Sequence, residues 1–139
     1  MLSIQCRNIL CLDRLNGKIK WQLKNESKIY GRSIISGNYF YVEYCDYDKK
    51  YTGLLCMNTQ TGNRIWDYKC TMSCDWCCNQ FDLLPVILNN KIYHYFELNQ
   101  TLVCLNALTG KSVWQHNIDD NHFSPIISGD KLKVICIWE

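Results

Sequence analysis

Cys70, Cys74, Cys77 and Cys78 fall within nine consecutive residues, the densest group of cysteines in the chain. The first three stand at C-x3-C-x2-C spacing, with Trp76 just before the third. Three thiolates on one loop can hold three irons of a cubane cluster and leave the fourth iron open. Four closely spaced thiolates can instead bind zinc, because all-cysteine sets of four are ordinary structural zinc ligands. Against both stands the abundance of cysteine: with ten in 139 residues, clustering by chance is easy. The reading favours a surface loop without metal, and keeps zinc and iron–sulfur as its chemical alternatives.

Other reactive groups point to less. His94, His116 and His122 do not fall at a metal-ligand spacing; His94, in a strand-like run, and His116, just after Trp114, read as structural histidines. There is no glycine-rich phosphate loop, no G-x-S-x-G elbow and no carboxylate pair in a catalytic context. Asp119-Asp120 reads as a polar loop. No catalytic residue and no cofactor-binding residue is assigned.

The elements that would carry these residues are set by a repeat. Ile9-Leu10-Cys11-Leu12-Asp13-Arg14-Leu15-Asn16-Gly17 leads to Trp21. Leu54-Leu55-Cys56-Met57-Asn58-Thr59-Gln60-Thr61-Gly62 leads to Trp66, and Leu102-Val103-Cys104-Leu105-Asn106-Ala107-Leu108-Thr109-Gly110 to Trp114. The copies begin 45 and 48 residues apart, a period that means repeated supersecondary units. In each, four apolar residues give a short strand buried on both faces. Asp or Asn then opens a polar turn in which it can bond its own backbone two residues on, and Gly17, Gly62 or Gly110 supplies the positive φ of a tight hairpin. Trp21, Trp66 and Trp114 close the second strand. Each is expected to be largely buried, covering roughly 150–250 Å² of apolar surface between sheets.

A second hairpin type lies between the copies, with Gly37-Asn38, Asn89-Asn90 and Gly129-Asp130 as two-residue turns. One hairpin of each type makes a four-stranded antiparallel unit, which matches a propeller blade in length and strand count. The chain thus reads as a single all-β domain over residues 1–139, a partial β-propeller of about three blades offset by half a blade. Half a blade is expected at 6–24, full blades at 29–69 and 82–118, and half a blade at 122–138. Residues 43–53 lengthen the middle hairpin of the first full blade by about four residues, which reads as a solvated hairpin extension. Three blades are too few to close a ring, since closed propellers have four to eight.

The pattern of small residue, Leu, Asp/Asn, two residues, Thr/Asn, Gly and a Trp four positions on resembles the repeat of the pyrroloquinoline-quinone-like (PQQ-like) β-propellers. That family includes quinoprotein alcohol dehydrogenases, a bacterial outer-membrane assembly lipoprotein and many non-enzymatic relatives. The resemblance implies that Cys11, Cys56 and Cys104 sit where neighbouring blades approach closely, and that the three tryptophans dock between blades. It covers nearly the whole chain and speaks to fold more than to activity. Adjacent Cys77-Cys78 resembles the vicinal disulfide that quinoprotein alcohol dehydrogenases hold against their cofactor. The Asp base, the Ca²⁺-holding Glu/Asn set and the eight-bladed ring of those enzymes find no match here, so PQQ is not expected. The cysteine spacing also resembles the cluster motif of radical S-adenosylmethionine enzymes, which place it at the start of an α/β barrel. Here propeller strands flank it.

Composition narrows the partners. The net charge of +2 is scattered, with Lys49-Lys50 the one basic pair, so no nucleic-acid footprint is present. No apolar stretch has the length of a membrane span. Residues 1–24 hold repeat sequence with Arg7, Asp13 and Arg14 rather than a signal peptide, and many free cysteines fit a reducing, cytoplasmic setting. The expected function is a non-catalytic, rigid platform for protein–protein interaction, with another protein or a second copy as partner. A metal- or redox-active domain built on the cysteine loop and a quinoprotein oxidoreductase fragment are the alternatives.

Overall fold

The computed structural model describes residues 6–73, 84–118 and 123–136. All the regular structure among them is strand: β1 (Cys6–Leu12), β2 (Ile19–Ser36), β3 (Tyr39–Asp46), β4 (Tyr51–Asn58), β5 (Arg64–Thr71), β6 (Val86–Leu88), β7 (Lys91–Phe96), β8 (Thr101–Asn106), β9 (Ser112–Asn117), β10 (Phe123–Ser128) and β11 (Lys131–Cys136). Two compact units result, Met1–Lys69 and Cys70–Glu139. The first holds one sheet in the order β1-β2-β3-β4-β5. The second holds a four-stranded sheet, β6-β7-β8-β9, and a two-stranded one, β10-β11. The fold is all-β and its repeating element is the four-stranded antiparallel propeller blade.

The half blade expected at 6–24 and the blade expected from 29 are joined without a loop between them. β2 runs unbroken for 18 residues. Its first part pairs with β1 (Leu23 opposite Ile9, Trp21 opposite Cys11), and its last part pairs with β3 (Ile35 opposite Phe40). Ile29 is shared by both ladders, and the register shifts on either side of it. A single strand therefore serves as the end of one hairpin and the start of the next blade.

The repeat turns have one internal wiring, used three times. Gly17, Gly62 and Gly110 have φ of 72°, 72° and 71°. Their amides donate to the carbonyls of Asp13, Asn58 and Asn106 at 2.8, 2.9 and 2.8 Å, and those residues' own amides donate to Lys18, Asn63 and Lys111. The Asp or Asn Oδ1 accepts from the amide two residues on in each copy (Leu15, Gln60, Leu108), at 2.9 Å every time. Asn16, Thr61 and Thr109 accept from the amide two residues ahead of them. The short side chains of the motif thus satisfy turn amides that a hairpin would otherwise leave to water.

In the other hairpins Ser36 faces Tyr39, Leu88 faces Lys91 and Ser128 faces Lys131, leaving two-residue turns as expected. Asn89 and Asn90 both have positive φ, the pattern of a type I′ turn. The hairpin read as a solvated extension has a different construction. Its connecting turn, residues 47–50, is as long as its counterpart, residues 97–100; the extra length is two residues on each strand. The added rung Cys45–Thr52 is fully buried, and the Thr52 hydroxyl donates to the Tyr44 carbonyl. The expectation of a solvated extension is thereby corrected.

The core of the first unit is one face of β3 and β4: Phe40, Val42, Tyr44, Leu55 and Met57, with Ile9, Trp21 and Leu23 of the β1–β2 hairpin packed on it. In the second unit Tyr95 and Leu102 are covered by Trp114, Ile118 and Leu132.

Candidate functional site

Of the cysteine loop, only Cys70 lies among the described residues, partly buried and outside any disulfide; Cys74, Cys77 and Cys78 lie outside them. The start of the loop is tied to the β7–β8 turn. Ser73 donates its amide to the Leu98 carbonyl at 2.7 Å, and Asn99 Nδ2 donates to the Thr71 carbonyl. Among the described residues no three metal-capable side chains converge. His94 is buried and meets Phe96 edge-on at 4.7 Å, His116 is exposed beside Trp114, and His122 lies outside the described residues.

The repeat cysteines occupy a packing position with a clear reason for a small residue. Tyr41 faces Cys56 across the ladder, and Tyr93 faces Cys104. Above each cysteine the tyrosine ring reaches a tryptophan: Tyr41 to Trp66 at 5.8 Å, Tyr93 to Trp114 at 6.0 Å. A larger residue between them would hold the rings apart. Burial pushes the Cys56 thiol up to about 11, opposed in part by the Tyr41 hydrogen bond. Burial likewise raises Tyr41 to about 12. Cys104 is raised too, by burial first, against the Lys91 charge and the Tyr93 hydrogen bond. These are protonated, inert thiols rather than nucleophiles.

Because the folded value of Cys56 lies above the ordinary 9.0, its contribution to stability is whole below pH 9 and is lost as pH rises towards about 11. Iodoacetamide at pH 8 should leave Cys56 unmodified in the folded protein and label it after denaturation, as read by peptide mass spectrometry. Labelling in the folded state at an ordinary thiol rate would contradict its placement.

The three tryptophans are each mostly covered, with a part of each ring left in water. Trp21 shows how one docks. Its ring stacks on Phe40 at 5.9 Å, its Nε1 donates to the Thr59 carbonyl at 3.0 Å, and it lies directly against Gly62. A hairpin of one repeat thus sits on the repeat turn of the next.

That arrangement identifies what is left open. The sequence reading has the apolar run buried in all three copies. It is buried in β4 and β8, where Leu55, Met57, Val103 and Leu105 are at most 1% exposed. In β1 the equivalent Leu10 and Leu12 are 50% and 52% exposed, and Ile19, opposite Leu12, is 58% exposed. β1 is also an edge strand. An apolar face beside an unpaired edge is the feature that marks association surfaces.

These elements define a class: propeller blades whose signature residues serve packing, with an apolar sheet face exposed on β1. A family model described as outer membrane protein assembly factor BamB matches residues 5–135, and the chain belongs to that family of PQQ-like propeller repeats. In solved structures the fold is similar to BamB from Moraxella catarrhalis, with a TM-score of 0.68 at 16% identity, over 92% of this chain and 40% of that one. A curated relative, a quinoprotein ethanol dehydrogenase of Pseudomonas aeruginosa, is 28% identical over 92 residues, which is 65% of this chain and 14% of the relative. The chain thus spans less than half the length of either. No helix among the described residues is long and apolar enough to cross a membrane.

Proposed function

We infer that the chain is a non-catalytic propeller-repeat platform that binds another protein through the face formed by Leu10, Leu12 and Ile19. The observation that carries this reading is the half-exposure of Leu10 and Leu12 at positions that the other two repeats bury completely. Burying both would contribute a few kcal/mol at roughly 25 cal/mol per Å² of apolar area, enough to drive association. Membership in a family described by an assembly factor supports a binding role. Cys56 and Cys104, as raised and buried thiols, support packing over redox work, and five cysteines outside any disulfide, Cys11, Cys45, Cys56, Cys70 and Cys104, favour a reducing, cytoplasmic setting. On this reading the chain works without PQQ, zinc or an iron–sulfur cluster.

The competing assignment is a metal or redox domain at Cys70, Cys74, Cys77 and Cys78. Replacing Cys74 and Cys77 together by Ser should leave stability within about 0.5 kcal/mol, the usual range for surface changes, and leave association intact. The blades on either side supply their own hydrogen bonds and core. Stoichiometric zinc or iron in anaerobically purified protein, lost in the double variant along with stability, would overturn the platform reading, because metal-thiolate binding energy is folding energy.

A further inference from the structure

We propose that the occupant of the β1 edge and its apolar face is a second copy of this chain, whose β11 adds to β1 as a neighbouring strand. The proposal rests on the platform reading and names its partner.

The full blades supply the template. In both, the strand after the two-residue turn pairs with the strand carrying the repeat cysteine, in one register: Tyr41 opposite Cys56, Tyr93 opposite Cys104. The residue after the Asx position then donates its amide to the second turn residue, Thr59 to the Asn38 carbonyl and Ala107 to the Asn90 carbonyl. β1 carries Cys11 and so is a strand of the second kind, at a sheet edge. β11 follows the two-residue turn Gly129-Asp130 and so is a strand of the first kind, in a two-stranded sheet. Each holds the half of a blade that the other lacks. The template register places Lys133 of one copy opposite Cys11 of the other, Leu132 opposite Leu12, and the Arg14 amide on the Asp130 carbonyl.

The packing above this ladder is specified in the same way. Leu55 and Met57 lie in the cluster on which Trp21 of the preceding hairpin docks. Leu10 and Leu12 are their equivalents, and the hairpin that would precede them is that of Trp114. The β10–β11 hairpin already follows that rule within one copy, since Leu132, the equivalent of Phe40, shares a cluster with Trp114 as Phe40 stacks on Trp21. The turn that would receive the Trp114 indole is that of Gly17. A Cβ on Gly62 would lie 2.7 Å from the Trp21 ring, whereas a Cβ on Gly17, at the same φ, meets nothing within 4 Å. The Gly17 turn is thus a tryptophan-docking site that lacks its tryptophan, and a second copy carries one. Two such junctions per pair give six four-stranded blades, within the range in which propellers close.

The test is the mass of the purified full chain by light scattering, with hydrogen exchange on the β1 amides that face away from β2. A particle of twice 16.4 kDa is expected, with those amides protected. Leu10→Asp with Leu12→Asp should return the mass to 16.4 kDa and release the protection. Ile35→Asp, at a residue 70% exposed elsewhere, should change neither. A monomer at every attainable concentration overturns the proposal, whether its β1 amides exchange freely or are protected by further blades of its own polypeptide. A dimer indifferent to the paired Asp substitutions overturns it too, and with it the assignment of the face. Metal in the cysteine loop would instead strike the platform reading, so the two failures are separable.

Discussion

Trp21→Ala should lower the stability of the first unit by about 3 kcal/mol, the low end of the range for deleting a packed aromatic. The low end applies because part of the ring is in water. What is lost is the stack on Phe40, the contact with the Val42–Leu55–Met57 face, and the hydrogen bond to the Thr59 carbonyl. The β1–β2 hairpin has Ile9 and Leu23 left to hold it on that face. Trp21→Phe should separate the two contributions. It keeps an aromatic over Phe40 but drops the indole donor, and should cost about 1 kcal/mol for the hydrogen bond plus a smaller amount for lost area. The measurement is a urea midpoint at pH 7 in the Leu10→Asp, Leu12→Asp background, so that self-association does not enter. A loss below about 1 kcal/mol for Trp21→Ala would mean that the hairpin is not held by its tryptophan.

Much of this fold is legible in the chain because its turns are written in short polar side chains. Asp13, Asn58 and Asn106 announce the same carboxamide or carboxylate contacts three times, and the glycines four residues on mark the left-handed step. What resisted reading depends on neighbours rather than on local preference. The polar run Asn25–Lys28 has loop composition, yet the strand continues through it because β1 pairs with Lys24 and Ile29 on either side of it and β3 pairs with Lys28. Gly53 read as the end of a solvated hairpin extension. It is a strand residue, where a Cβ would run into the Tyr68 carbonyl and the Tyr44 hydroxyl. Leu10 and Leu12 were the hardest case. Ile-Leu-Cys-Leu has the same pattern as Leu-Leu-Cys-Met, and nothing in four apolar residues says whether a neighbouring sheet is present. The candidate site is therefore visible only as a difference in burial between equivalent positions.

Gly62 and Gly17 turn that difference into a measurable energy. Both have φ of 72°, so alanine at either site meets the same backbone strain, about 1 kcal/mol for an L-residue in the left-handed region. They differ in what a methyl group would touch. At Gly62 it would lie 2.7 Å from two atoms of the Trp21 indole, and the ring must move off Phe40 to admit it. Overpacking of that kind adds about 1–3 kcal/mol, so Gly62→Ala should cost roughly 2–4 kcal/mol in all. Gly17→Ala in the Leu10→Asp, Leu12→Asp background should show the strain alone. Removing the ring should remove the excess: in a Trp21→Ala chain, Gly62→Ala should fall back to about 1 kcal/mol, giving a coupling of about 1–3 kcal/mol between residues 41 positions apart in sequence. Equal costs at Gly17 and Gly62, or a Gly62 cost that does not change when Trp21 is gone, would show that the indole does not rest on the repeat turn. The template on which the second copy is placed would then fail as well, because Trp114 is assigned to the Gly17 turn by the same contact.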